Sequence, residues 1–260
     1  MLATLARKFS LTSIKIYTLC NAGYDNGYFE IGAIMSFEFD PQNPFACFVT
    51  QSPEMKRTVG NAKKFAMFDV PLLIQGETGT GKDLLAKACH WSGLRKDHKF
   101  IAVNCAGLPD SDALLRFLTD GSFRRVGEEQ EHHANVRVIC TMQESPETLL
   151  EQGKLRLDLF HRLNVLRINI PPLRQRIEDI IPLSETFLTQ ISQQLNIPKP
   201  TYSAEFIHLL QQQTWPGNVR ELYNTLYQAC SLSGNAPLDS KVLSISAPEH
   251  TTIETGQFEG

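Results

Sequence analysis

Val70-Pro71-Leu72-Leu73-Ile74-Gln75-Gly76-Glu77-Thr78-Gly79-Thr80-Gly81-Lys82-Asp83 decides the reading of this 260-residue chain. An apolar strand-like run, Val70 to Ile74, enters a GxxxxGK loop. The residues from Asp83 to His90 leave it with helical periodicity. Strand, glycine loop and helix in that order make the motif a phosphate-binding loop. The glycines let backbone N–H groups converge on phosphate oxygens, the helix N-terminus adds partial positive charge, and Lys82 reaches the β/γ oxygens. Gly76, Glu77, Thr78, Gly79, Thr80, Gly81, Lys82 and Asp83 are therefore the candidate nucleotide-binding residues. Hydrolysis of ATP asks for more, a carboxylate near the magnesium ion, usually at the end of a second apolar strand. No apolar run ending in Asp-Glu follows residue 83. The chain reads as an ATP binder without its hydrolytic half, with Mg2+ held weakly or not at all.

Composition sets the surrounding limits. The chain is long enough for one large α/β domain and a small appendage, and 42% hydrophobic residues supply a proper core. Twenty-five Lys+Arg stand against 28 Asp+Glu, a net charge of −3, so no overall basic field is available to hold nucleic acid. Cys20, Cys47, Cys89, Cys105, Cys140 and Cys230 form no C-x-x-C pair and no Cys/His metal spacing. Three of them, Cys89, Cys105 and Cys140, lie in apolar runs, which reads as reduced core thiols of a cytoplasmic protein. No apolar run approaches the roughly 18 residues that cross a bilayer, and the N-terminus lacks the continuous apolar stretch of a secretory signal.

Along the chain, residues 1–45 form an N-terminal lead-in or domain remnant. They hold a glycine- and aromatic-rich stretch, Asn21 to Gly32, then a strand-like run from Phe37 to Asp40 and a linker near 41–46. Helical spacing covers 52–66, with Ser52 as N-cap and Pro53 at the first helical position. Strand-like runs at Pro71–Gln75, Phe100–Asn104, Val136–Thr141 and Val165–Ile170 alternate with helical patterns around 82–93, 112–120 and 146–152. Such alternation predicts an α/β fold with a mainly parallel sheet between covering helices, over residues 46–175. Three helices, Ile177–Leu195, Ser203–Gln212 and Val219–Cys230, make an all-helical lid over 176–232. Residues 233–260 read as a polar, mobile tail.

Five strings occur in order: GETGTGKD at 76–83, FIAVNCAGLP at 100–109, RVGEEQEHHANVRVICTMQ at 125–143, LRLDLFHRLNVLRINIPPLRQRIEDI at 155–180, and WPGNVREL at 215–222. Together they resemble the central AAA+ ATPase domain of bacterial enhancer-binding transcription activators, over roughly residues 46–245. Within that family the chain is most similar to regulators of aromatic amino-acid biosynthesis and transport. The resemblance implies that Gly76 to Lys82 is the Walker A loop and that Asp83 replaces the usual Ser or Thr, as is common in the family. It implies that Arg156 and Arg162 are arginine fingers presented to the nucleotide of a neighbouring subunit. Arg220 matches the sensor II arginine, and Gln143 stands where sensor I usually carries Asn.

The resemblance also shows a break. Cys105 to Ala113 runs straight into Leu114-Leu115-Arg116-Phe117-Leu118, where the family has a GAFTGA surface loop and a Walker B strand ending in Asp-Glu. That loss leaves no magnesium carboxylate and no contact to the alternative sigma factor, and it gives the Phe100–Asn104 strand a new neighbour. The acids at the junction, Asp110 and Asp112, follow Pro109 in a loop and read as helix-capping residues. His132 and His133 read as a solvated loop, not a metal site. Tyr223 and Tyr227, four apart, read as helix packing. A helix-turn-helix expected after the lid is not in this chain, so DNA contact is expected only through such a domain elsewhere.

The expectation is an ATP-binding core of a cytoplasmic transcriptional regulator. Its effectors are ATP and an aromatic amino acid such as tyrosine, it associates with itself as a dimer or hexamer, and its hydrolysis is absent or very weak. The alternative is an active AAA+ motor that remodels a protein partner, against which the missing acid pair and loop both argue.

Overall fold

The computed structural model describes residues 14–20, 39–104, 111–124, 128–233 and 236–239, and of 14–20, 103, 104 and 111 the backbone alone. Two compact units emerge among the described residues, those up to 183 with 214–221, and 184–213 with those from 222 on. The division differs from the sequence reading of a lid over 176–232, because 176–183 and 214–221 fall with the α/β unit.

The first unit holds β1 (Ile14–Cys20), α1 (Pro53–Ala66), β2 (Leu72–Gln75), α2 (Lys82–Trp91), β3 (Lys99–Asn104), α3 (Ser111–Asp120), β4 (Ser122–Arg124), β5 (Glu131–His133), β6 (Val138–Met142), α4 (Pro146–Glu151), α5 (Leu157–Leu163) and β7 (Leu166–Asn169). Helix α1 starts where the sequence says it should. Ser52 is extended and its side chain accepts from Met55 N at 3.4 Å, with Pro53 opening the helix. Its buried residues, Met55, Thr58, Ala62 and Ala66, recur at three and four, one face of a helix.

The five-stranded sheet runs in the order β3-β1-β6-β2-β7. Strand β2 pairs in parallel with β6 on one side and β7 on the other. Its residues alternate between two cores. Leu72 and Ile74 join Met55, Ala62, Leu85, Cys89 and Ile139, whereas Leu73 joins Val138, Cys140, Met142 and Leu159. Both faces of the sheet are therefore covered, as a parallel sheet requires. Each fully buried Leu or Ile here contributes about 1.5–3 kcal/mol.

Three sequence readings need correction. Residues 14–20, set apart as part of a lead-in, form β1 within the sheet. The run read as a strand up to Asp40 is not one in its described part. Phe39 and Asp40 are coil, and Asp40 Oδ1 accepts from Gln42 N at 2.8 Å in the turn that follows. Phe37 and Glu38 lie outside the described residues. His132 and His133, read as loop, belong to β5, which pairs antiparallel with β4. The His132 ring stacks on Phe123 with centroids 5.6 Å apart, which gives this otherwise polar hairpin a local anchor.

Cys89 and Cys140 are buried free thiols, and Cys105 lies outside the described residues. Burial pushes the Cys89 thiol up to about 12. Among the described residues no helix is long and apolar enough to cross a membrane.

In the second unit, helix α6 (Ile180–Leu195) contributes its residues from Ser184 on and helix α8 (Asn218–Ser233) those from Leu222 on, with all of α7 (Ala204–Gln212). Ser203 caps α7 by accepting from Phe206 N at 3.1 Å. Tyr223 is buried edge-on to Phe187 at 5.3 Å, and its hydroxyl donates to Gln194 Oε1 at 3.0 Å. Tyr227 lies 6.2 Å from Tyr223, ring to ring. These tyrosines pack, as their spacing predicts.

Candidate nucleotide-binding site

The phosphate loop begins where β2 ends. Gly76 N donates to Met142 O of β6 at 3.1 Å, and Ile170 N donates to Gln75 O at 2.8 Å, so the loop starts from a fixed point on the sheet. Thr80 Oγ1 donates back to Glu77 O at 2.8 Å. Gly79 and Gly81 have φ of +78° and +101°, a region that side chains with a Cβ avoid, and Gly81 is the N-cap of α2. Lys82 opens that helix. Its Nζ donates to Gly76 O at 2.7 Å and Glu77 O at 2.8 Å, which folds the ammonium over the mouth of the loop. Asp83 follows, half-buried in the first turn.

Behind the loop stand residues that sequence reading assigned no role. Arg174, after β7, forms a bidentate pair with Glu77, at 2.7 and 2.6 Å. That guanidinium holds the Glu77 carboxyl below the usual range. The fully buried Asn218 bridges three segments. Its Oδ1 accepts from Leu173 N at 2.7 Å, and its Nδ2 donates to Thr78 O at 3.0 Å and to Glu77 Oε2 at 3.2 Å. Arg176, 3% exposed, donates to Thr80 O at 3.3 Å and lies 3.8 Å from the buried Asp179. Asp179 accepts in turn from Thr50 Oγ1 at 2.8 Å, Gln51 N at 2.7 Å and Ser52 N at 2.9 Å, at the start of α1. Buried charges are costly unless paired and hydrogen-bonded, and this chain of contacts pairs Arg176 with Asp179 and hydrogen-bonds Asp179.

Arg220 comes to the loop through its backbone neighbours. A Cβ on Gly79 would collide with Gly217 O and lie 3.2 Å from Arg220 Cβ, so the loop and the start of α8 are in direct contact. Glu221 Oε2 accepts from Gly217 N at 2.7 Å and fixes that turn. Arg220 itself is exposed beside the loop. Gln143 directly follows β6, exposed at the same end of the sheet as the loop. On β7, Arg167 donates to Gln75 Oε1 and Glu147 Oε1, both at 2.6 Å, and holds the Glu147 carboxyl down to about 2.

The two finger candidates lie on another element. Arg156 is the N-cap residue of α5, exposed and paired with Asp112 and Asp158. Arg162 is exposed in the last turn of the same helix. Asp112 is thus engaged by Arg156 in the first turn of α3, and Asp110 lies outside the described residues.

The loop, its braces and the adjoining turn make an anion-binding cradle. Comparison with known proteins places that cradle in a family. The Sigma-54 interaction domain matches residues 48–113 and 110–169, and an AAA+ ATPase lid domain matches residues 174–257. Among solved structures, NtrX from Brucella abortus in complex with ATP is similar at a TM-score of 0.70 and 26% identity, over 80% of this chain and 57% of that one. The same protein in complex with ADP gives 0.69 and 26%, over 78% and 56%. The HTH-type transcriptional regulatory protein TyrR of Haemophilus influenzae is 54% identical over 263 residues, covering 85% of this chain and 83% of that protein. TyrR of Salmonella typhimurium is 36% identical over 252 residues, 82% of this chain and 49% of the relative. The Nif-specific regulatory protein of Azotobacter vinelandii is 32% identical over 248 residues, 78% and 47%. The chain spans about half the length of those last two. With an AAA+ core and lid and this degree of identity, the chain belongs to the TyrR family of transcriptional regulatory proteins.

Proposed function

We propose that this chain is the ATP-binding core of a cytoplasmic regulator of aromatic amino-acid biosynthesis and transport genes, in which ATP is a ligand and not a fuel. The observation that carries the reading is the asymmetry of the site. The phosphate loop is complete and braced by Arg174, Arg176 and Asn218, while the strand beside β6 is β1, whose sequence Ile14 to Cys20 contains no Asp or Glu. A carboxylate at that end of the sheet is what hydrolysis requires to hold magnesium and orient water. Of the acids nearby, Glu77 is engaged by Arg174 and Glu147 by Arg167.

The comparisons support a shortened core. The two Sigma-54 interaction domain matches meet at 110–113, where the family's loop and acid strand are expected. The alignment with the Haemophilus relative runs over 263 positions but uses 85% of this 260-residue chain, about 221 residues, so about 42 positions there have no counterpart here. In this reading Gly76 to Asp83, Gln143 and Arg220 bind the nucleotide, with Mg2+ held weakly or not at all. The effector is an aromatic amino acid, tyrosine first, and ATP and effector together set self-association as a dimer or hexamer. Arg156 and Arg162 then face the neighbouring copy's nucleotide, and Arg156 leaves Asp112 to do so.

A thermal titration tests the reading. ATP at about 100 times its Kd adds ~2.7 kcal/mol to a protein that binds it. Tyrosine is expected to add further stabilisation only when ATP is present, with a matching shift in sedimentation. No response to ATP at millimolar concentration refutes the reading. A second reading, an active motor that remodels a partner, is favoured by the Sigma-54 interaction domain match and by the two arginines on α5. It requires sustained phosphate release.

A further inference from the structure

Four of the five strands in the sheet run the same way. Strand β2 is parallel to β6 and β7, and β3 shares their direction because both β3 and β6 are antiparallel to β1. Strand β1 alone is reversed, and it comes from the part of the chain before the α/β alternation begins. It pairs over six residues with β3, from Lys15↔Asn104 to Cys20↔Lys99, and over five with β6, from Ile14↔Met142 to Thr18↔Val138. Neither matched domain includes it, since they begin at residues 48 and 174.

The β6 strand shows what its absence would cost. All five residues, Val138 to Met142, are at most 4% exposed, the burial of a central strand. In contrast, Ile101 of β3 is 38% exposed, as suits an edge. Without an extended segment between them, β6 would present a row of unpaired N–H and C=O groups along an apolar strand. Such an edge recruits other chains.

We infer that the groove between β3 and β6 is a strand-accepting site and that residues 14–20 are its built-in occupant, a replacement strand that closes the sheet. Recognition is through main-chain hydrogen bonds, so an antiparallel segment with alternating β-formers serves where a parallel strand would otherwise lie. The sequence Ile14-Lys15-Ile16-Tyr17-Thr18-Leu19-Cys20 has that character. The assignment gives the N-terminal segment a function, to protect β6 and to hold β3 on the sheet, and it does not depend on nucleotide binding.

The register supplies a direct test in the full chain. Native Cys20 faces Lys99, and residues opposite each other in an antiparallel pair lie within disulfide range. The exposed Lys99→Cys variant is expected to form a Cys20 cross-link on mild oxidation, found by peptide mass mapping. The Ile101→Cys variant, also at an exposed position and partnered by Thr18, is expected to link to Cys20 at least tenfold less. Equal linkage in both variants, or none in Lys99→Cys, overturns the placement. Tyr17→Pro, which removes a ladder donor, is expected to lower the melting temperature and to speed hydrogen exchange at Val138–Met142. Unchanged melting and exchange in that variant overturn the protective role.

Discussion

The two sides of the sheet differ in how they are held. Around β2, the phosphate loop is fixed by side chains that converge from three segments, Arg174 on Glu77, Arg176 on Thr80, and Asn218 on Thr78. Beside β6, the neighbour is β1, joined through backbone pairing and bringing no acid. Side-chain clusters of the first kind specify a site for a particular ligand. Ladder pairing of the second kind specifies only that a strand be present. The contrast suits the proposed role of ATP as a ligand, a binding half under tight geometric control beside a half that need only be closed.

Breaking the first side should have the larger consequences. Gly79→Ala meets a positive φ and a collision with Gly217 O, with Arg220 Cβ at 3.2 Å. Strain and overpacking together should cost about 2–5 kcal/mol, read as a lower melting temperature and no response to ATP. Lys82→Ala should leave the fold intact yet abolish the ~2.7 kcal/mol that saturating ATP adds to the parent. Full ATP response in Lys82→Ala would remove the loop from the account. Asn218→Ala strips the hydrogen bonds to Leu173 N and Thr78 O from a buried position at φ 52°. A cost of about 1–3 kcal/mol is expected, with weaker ATP binding, and a parent-like variant would show that the brace is idle.

His90 lies at the end of α2, its ring 5.2 Å from that of Phe100 on β3. Burial pushes its imidazole down to about 4. An unfolded histidine binds its proton near 6.5, so the unfolded chain carries more protons between those values. Stability should therefore be full above about 6.5 and fall as pH drops towards 4, by up to about 1.4 kcal/mol per pH unit from this group. Denaturant midpoints measured across that window should show the slope in the parent and lose it in His90→Phe.

Much of the α/β unit was legible because its signals are local. Apolar strands, the Ser52 cap and the glycine loop each sit within a few residues of the element they specify. The braces were not, although Arg174, Arg176 and Asn218 lie inside strings that carried the family resemblance. Their roles arise from approach across 96 to 140 positions of chain, which no periodicity encodes. Strand β1 did carry a local signal, alternation in Ile14-Lys15-Ile16 and the β-formers after it. Its position between β3 and β6 is non-local, and nothing near residue 14 announces it. Hairpin β4–β5 was hidden for a different reason. Its strands are three residues each, and Glu131-His132-His133 has no apolar run to recognise.

Phosphate release at saturating ATP and magnesium tests the central claim most directly, with Lys82→Ala as the control for contaminating activity. Arginines at the loop can neutralise phosphate charge, but they cannot align a water molecule that no acid holds. The account predicts turnover indistinguishable from that control while ATP still stabilises the parent. A turnover of about 1 s⁻¹ or more, within the ordinary enzyme range and lost in Lys82→Ala, would contradict it and make this chain an active ATPase.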